Sequence, residues 1–156
     1  MNPTYAQTLR ELLRTQEIAA LGTLHDGQPF VSMVPFVLFP GSANFIIHVS
    51  QLATHTKDML LSPQVSLMVV APPAPGITAQ ALARITVQGQ ALPCTDANHA
   101  VAKAAYLSRF PHSAEMFALA DFSLFAIAPS SIRFVGGFGQ ATSITPETFA
   151  NILSQD

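Results

Sequence analysis

The chain has 156 residues, of which 49% are hydrophobic and 10% charged, with a formal net charge of −2. Soluble proteins usually carry about a quarter of charged residues, and the seven Lys and Arg residues here are scattered, so the basic stripe needed to hold a nucleic-acid backbone is missing. No run approaches the roughly 20 apolar residues of a bilayer span, the N-terminus lacks the basic and apolar regions of a signal peptide, and the single Cys94 excludes a disulfide framework or cysteine metal cluster.

These bounds predict one domain over residues 1–156, in a cytoplasmic protein with no nucleic-acid or membrane partner. So much apolar surface is hard to cover in a small monomer, which predicts a homodimer or larger assembly. Along the chain, Asn2 and Pro3 read as the cap and first position of a helix with Tyr5, Leu9, Leu12 and Leu13 on one face. Asp26-Gly27 between two β-prone runs is a hairpin signal. The turn at 40–44 leads into a strand, "FIIHV", and a helix from about Thr54 to Leu61 is closed by Ser62-Pro63. "VSLMVVA" reads as a buried strand and "PPAPGITAQAL" as a mobile surface loop.

"RITVQGQA" alternates, with Ile85, Val87, Gly89 and Ala91 facing one way. Thr95 or Asp96 caps a helix with Ala97, Val101, Ala104 and Ala105 on a shared face, and "PHSAEMFAL" reads as a short helix. "SLFAIAPSSIRFVGGF" suggests two strands turning at Pro129-Ser130. A C-terminal helix over about residues 146–154 is capped by Thr145. About seven strands joined by short turns, with helices at the edges, predict a mainly β (α+β) antiparallel barrel.

The stretch "VSQLATHTKDMLLSP" gathers Thr54, His55, Thr56 and Lys57 at a helix start. Free N–H groups and the positive helix end suit a phosphate there, which Ser50, Thr54 and Thr56 hydroxyls and the basic His55 and Lys57 would also bind. The plainer reading is a helix capped by Thr54 with Thr56 and Lys57 exposed. Arg84, the one cation between residues 58 and 102, either meets an anion or ring carbonyl or is an exposed strand arginine. His48 is either a structural histidine or a ligand contact. His25, His99 and His112 lack metal spacing and read as solvated. "FVGGFGQAT" breaks the G-x-G-x-x-G dinucleotide pattern and reads as tight backbone approach at a strand end.

In order, "LGTLHDGQPFVSMVPF", "LATHTKDMLLSPQVSLMV", "RITVQGQA" and "YLSRFPHSAEMFALADFSLFAIAPSSIRFVGGFGQA" resemble the pyridoxamine 5′-phosphate oxidase-like FMN-binding split barrels, closest to the branch with the haem-utilisation proteins. The resemblance covers roughly residues 6–142. It implies a six- or seven-stranded antiparallel split β-barrel that forms a homodimer, with FMN in two clefts between subunits. Ser32, Val34, Pro35 and Phe36 would then run along the flavin ring, and His48, Val49 and Ser50 would close its other side. Thr54, His55, Thr56 and Lys57 would hold the phosphate, and Arg84 would meet the phosphate or ring. Thr54 and His55 stand where the family's oxidases place an arginine–lysine pair. The haem-degrading branch ligates iron through a histidine near the C-terminus, and this chain has none after His112.

Three functions follow from this reading. The first is a flavin-dependent oxidoreductase acting on a small-molecule redox substrate, with the flavin carrying the electrons. The second is a haem-binding or haem-utilisation protein, and the third is a cofactor-free binding dimer on the same fold.

Overall fold

The computed structural model describes residues 1–155. Helix α1 (Pro3–Thr15) opens as its sequence predicts, with the Asn2 side chain accepting from the Thr4 N–H at 2.9 Å and Pro3 in the first turn. Its buried face is Ala6, Leu9, Leu12 and Leu13. Strands β1 (Ile18–His25) and β2 (Gln28–Pro35) pair antiparallel around Asp26 (φ 50°) and Gly27 (φ 76°), the two positive angles a tight two-residue hairpin requires. A short β3 (Val37–Leu38) then pairs with β4 (Phe45–Ser50), so "FIIHVS" is the fourth strand rather than the third. Helix α2 spans Thr54–Leu61, and β5 (Gln64–Val70) and β6 (Arg84–Pro93) follow. Helix α3 covers Asp96–Arg109, a 3-10 segment covers Pro111–Ala118, and β7 (Phe122–Val135), β8 (Ala141–Ile144) and helix α4 (Pro146–Leu153) complete the chain.

The strands form one antiparallel sheet in the order β2-β1-β5-β6-β7-β4-β3, with β8 added beside β7. It curls around a core that includes Leu21, Phe45, Ile47, Leu67, Ile85, Val87, Ile127, Phe134 and Phe149, closed by α1 and α4. Each such side chain contributes roughly 1.5–3 kcal/mol when fully buried. No β2–β3 or β2–β4 ladder closes the curl, so the barrel is split between its end strands.

Two expectations are corrected. "SLFAIAPSSIRFV" is one strand of 14 residues rather than two. A bulge at Gln88/Gly89 sets Pro129 opposite Gly89, where a Cβ would lie 2.3 Å from the Ala128 carbonyl oxygen; a proline is tolerated in a sheet at such a bulge. On α3 the buried residues are Ala102 and Tyr106, while Val101 is 46% exposed. Alanine contributes little apolar area, so the aromatic Tyr106 and Phe110 set the face that turns inward. They pack with Ile46 and Leu124 in a second, smaller cluster on the outer side of β4 and β7.

The outer side of β2, β1 and β5 is different. Directly paired residues share a face, and one row there runs Met33, Ala20, Met68, Thr86. Ile18 (53% exposed), Val31 (69%) and Met33 (58%) stand on it, with Met68 and Val70 beside them. No Lys, Arg, Asp or Glu occurs in these three strands.

Candidate functional site

The predicted site residues separate into three places. The first is a corner where α2 packs on β1. Ala53, not Thr54, is the N-cap of α2, and among the described residues no side chain caps the helix. Thr54 is exposed in the first turn, beside the exposed Lys57. His55 is half-buried, with its Nδ1 2.9 Å from the Ser32 hydroxyl of β2. Burial pulls the His55 pKa below its usual value despite the opposing charge of Asp58, so the ring is neutral at pH 7. Thr56 is fully buried, and among the described residues its hydroxyl has no hydrogen-bond partner.

The second place is the core. Val34, Phe36 and Val49 are 0–3% exposed with their side chains packed inside the barrel, so only their main chain could face a ligand. Pro35 is half-buried and has no N–H to offer.

The third comprises residues away from the corner. His48 and Ser50 alternate with Val49 and point to the opposite side of β4. The His48 ring stacks on Phe117 at 3.8 Å and 6°, meets Tyr106 edge-on at 5.6 Å, and is 8% exposed. Burial first, then the charges of His99 and Lys103, pushes its pKa down to about 4. His48 is thus a structural ring of the second cluster. Ser50 donates to the Asp121 carboxylate at 3.2 Å and accepts from the Leu52 N–H at 3.1 Å, fixing the turn before α2. Arg84 Nη1 donates to the carbonyls of Gln80 and Leu82, each at 3.1 Å, and so ties down the 3-10 turn Ala79–Ala81 within the predicted loop. The β6 residue level with Gly22 is Gln88, so Arg84 lies four residues, roughly 13 Å, further along the strand. The cations expected around a phosphate are therefore dispersed.

The corner holds a group that the sequence reading passed over. Asp58 is 3% exposed, beneath α2 against β1. One oxygen lies 2.7 Å from His25 Nδ1, and the other accepts from the Thr23 hydroxyl at 2.8 Å. Burial alone would raise the Asp58 pKa, but the hydrogen bonds from His25 and Thr23 and the nearby His25 and His55 charges outweigh it, leaving the carboxylate below its usual range. The same bond and charge raise the His25 pKa. His25 is half-exposed, with Phe30 beside it at 5.8 Å between ring centroids. The available signal was that Asp58 is the only acidic residue between Asp26 and Asp96.

On the sheet exterior, a groove of about 340 Å³ runs along Gly22, Leu24, Pro29, Val65 and Gln88 beside the β1–β2 hairpin. A second, of about 480 Å³, continues over the bulge along Gln64, Gln88, Gln90 and Ser130.

These features define a split β-barrel with a polar α2 corner and a bare apolar sheet face. The chain belongs to the CREG beta-barrel family, whose model matches residues 2–151. It is 34% identical over 117 residues, 75% of its own length, to the non-canonical heme oxygenase HOZ, chloroplastic, of Arabidopsis thaliana, and spans 35% of that relative. It is 25% identical over 155 residues to the heme oxygenase HutZ of Vibrio cholerae, covering 93% of this chain and 84% of that one. Among solved structures, a heme binding protein from Mycobacterium smegmatis superposes with a TM-score of 0.86 at 29% identity, over 97% of this chain and 62% of the other. The fold likeness extends to a putative pyridoxamine 5′-phosphate oxidase from Listeria innocua, at a TM-score of 0.67 and 14% identity over 85% of this chain and 98% of the other. Among the described residues no helix is long and apolar enough to cross a membrane.

Proposed function

We propose that this protein binds haem, as a homodimer joined through the outer face of β2, β1 and β5. The observation that carries this reading is that charge-free face, with Ile18, Val31 and Met33 more than half exposed. A patch of that kind on a small domain marks an interaction surface, and a two-fold pairing would set it against itself. Haem presents a large apolar ring, which suits the edge of this surface. Bound haem would supply iron for redox and oxygen chemistry. The barrel's own residues would bury one edge of the ring and exclude water from it. The names of the relatives support the same reading, because the Arabidopsis and Vibrio proteins are heme oxygenases and the mycobacterial structure is of a heme binding protein.

FMN is the second reading, supported by the uncapped first turn of α2 beside Ser32, His55 and Lys57. Haem is preferred because His55 is neutral and Arg84 is engaged elsewhere; a flavin phosphate carries up to two negative charges and needs cations. Titration of the purified protein with haemin and, separately, with FMN tests the choice. A saturable Soret band with micromolar or tighter haemin affinity, and no comparable FMN uptake, is expected. FMN uptake with a featureless haemin titration would reverse the assignment.

A further inference from the structure

Three of the chain's seven Lys and Arg residues meet in one groove, although 95 positions separate Arg14 from Arg109. The groove holds about 380 Å³, a size suited to a small ligand. It forms where α1, β3 and the ends of α3 and α4 come together. Arg10 and Arg14 lie one helical turn apart on α1, and Arg109 joins them from the last turn of α3. The rest of the lining is aliphatic: Leu13, Val37, Leu38 and Leu153. Among the described residues no acidic side chain lines the groove.

Helix capping is the plainer account of these arginines. Arg10 Nη1 donates to the Ile152 carbonyl at 3.2 Å near the end of α4. Arg109 Nη2 donates to the carbonyls of Gln16 and Arg14 at the end of α1, with its guanidinium 4.9 Å over the Phe36 ring. These contacts fix both groups but use only part of their capacity. An arginine has five N–H donors, and among the described residues Nε and Nη2 of Arg10 and Nε and Nη1 of Arg109 have no acceptor. Of the three, only Arg14 meets a described carboxylate, that of Glu11 at 2.8 Å on the exposed side of α1, while Glu17 acts on Arg109 through its charge alone. The two helix ends add about half a negative charge each, so roughly one positive charge of the three stays unmatched. A half-buried guanidinium has lost part of its hydration, and one carboxylate would both restore the hydrogen bonds and match the charge.

We propose that this groove binds a small aliphatic carboxylate, with its charged end among the arginines and its chain on Leu13, Leu38 and Leu153. The site is separate from the haem and FMN readings above, which use the outer sheet face and the α2 corner. Octanoate is the probe, titrated by isothermal calorimetry into wild type, Arg10→Gln, Arg109→Gln, Glu11→Gln and the remote control Arg133→Gln. Wild type should bind octanoate with a Kd of about 1 mM or tighter. Hexanoate, two methylenes shorter, should bind about 10-fold more weakly. Acetate, phosphate and octanol, each lacking the chain or the carboxylate, should not saturate in that range. Arg10→Gln and Arg109→Gln should each weaken octanoate about 10-fold. Glu11→Gln, which releases Arg14, should tighten it about threefold, a gain that no fold defect produces, and Arg133→Gln should change nothing. Circular dichroism checks folding; should Arg109→Gln unfold, Arg10→Gln and Glu11→Gln decide alone. In methyl NMR spectra octanoate should shift Leu38 and Leu153. A wild type that does not bind octanoate, an unchanged affinity in folded Arg10→Gln, or acetate binding as tight as octanoate overturns the proposal. So do shifts at Met33 and Met68 with Leu38 and Leu153 unmoved, which would place the chain on the sheet face.

Discussion

Acidification should weaken this protein through His48, and the size of the effect follows from its surroundings. The ring lies flat on Phe117 with Tyr106 at its edge, and burial and the neighbouring His99 and Lys103 hold its pKa near about 4, against 6.5 when free. Above pH 6.5 both folded and unfolded chains carry a neutral ring, so this group adds no pH dependence. As pH falls below 6.5 the unfolded chain takes up a proton that the folded one refuses, and stability drops until the folded ring also titrates near pH 4. At about 1.4 kcal/mol per pH unit, the ceiling at pH 4.5 is about 2.5 kcal/mol, and the ring's residual solvent contact trims it to about 2 kcal/mol. His55, also lowered, acts in the same direction, whereas the raised His25 opposes it, contributing stability below 6.5 that fades as pH rises through its folded value. Comparison with His48→Leu isolates the one ring. Urea denaturation at pH 7.0 and 4.5 should show wild type losing about 2 kcal/mol more than the variant. Equal losses would refute the account of His48 as a buried neutral ring.

Other changes have equally definite outcomes. Gly89→Ala sets a methyl 2.3 Å from the Ala128 carbonyl oxygen, so thermal denaturation should show a loss of about 1–3 kcal/mol, and an unchanged melting temperature would mean the bulge is soft. Thr145→Ala removes the hydroxyl that accepts from the Thr148 N–H at 3.1 Å, and should cost about 1 kcal/mol in the same assay. Val31→Glu with Met33→Glu places two charges per subunit on the apolar face, and light scattering is expected to find a dimer for the wild type and a monomer for this variant; an intact variant dimer would move the interface elsewhere.

The elements readable in the sequence were those built by neighbours in the chain. Asn2 with Pro3, Asp26 with Gly27, and Thr145 with Pro146 each specify a cap or turn within a few residues, and all three form as expected. The continuity of β7 through Pro129 depends instead on Gly89, forty positions earlier. The face of α3 depends on which side its aromatics find Leu124. Strand β8 is four residues of mixed polarity, held by its pairing with β7 and by Ile144 in the barrel core. At the candidate site, Ser32, expected along a flavin ring, meets His55 beside the start of α2, and Arg84 is held at the Ala79–Ala81 turn instead. The Asp58–His25–Thr23 group joins residues 33 and 35 positions apart, and periodicity carries no signal for that.

Strands β4 and β7 feed two separate interiors: Ile47 and Phe125 enter the barrel, while Ile46 and Leu124 turn outward beneath α3. The outer layer of α3 and the 3-10 segment can therefore detach while the barrel keeps its own packing. Amide exchange should divide accordingly, with α3 and residues 111–118 surrendering protection through a shallow opening and the strands yielding only on complete unfolding.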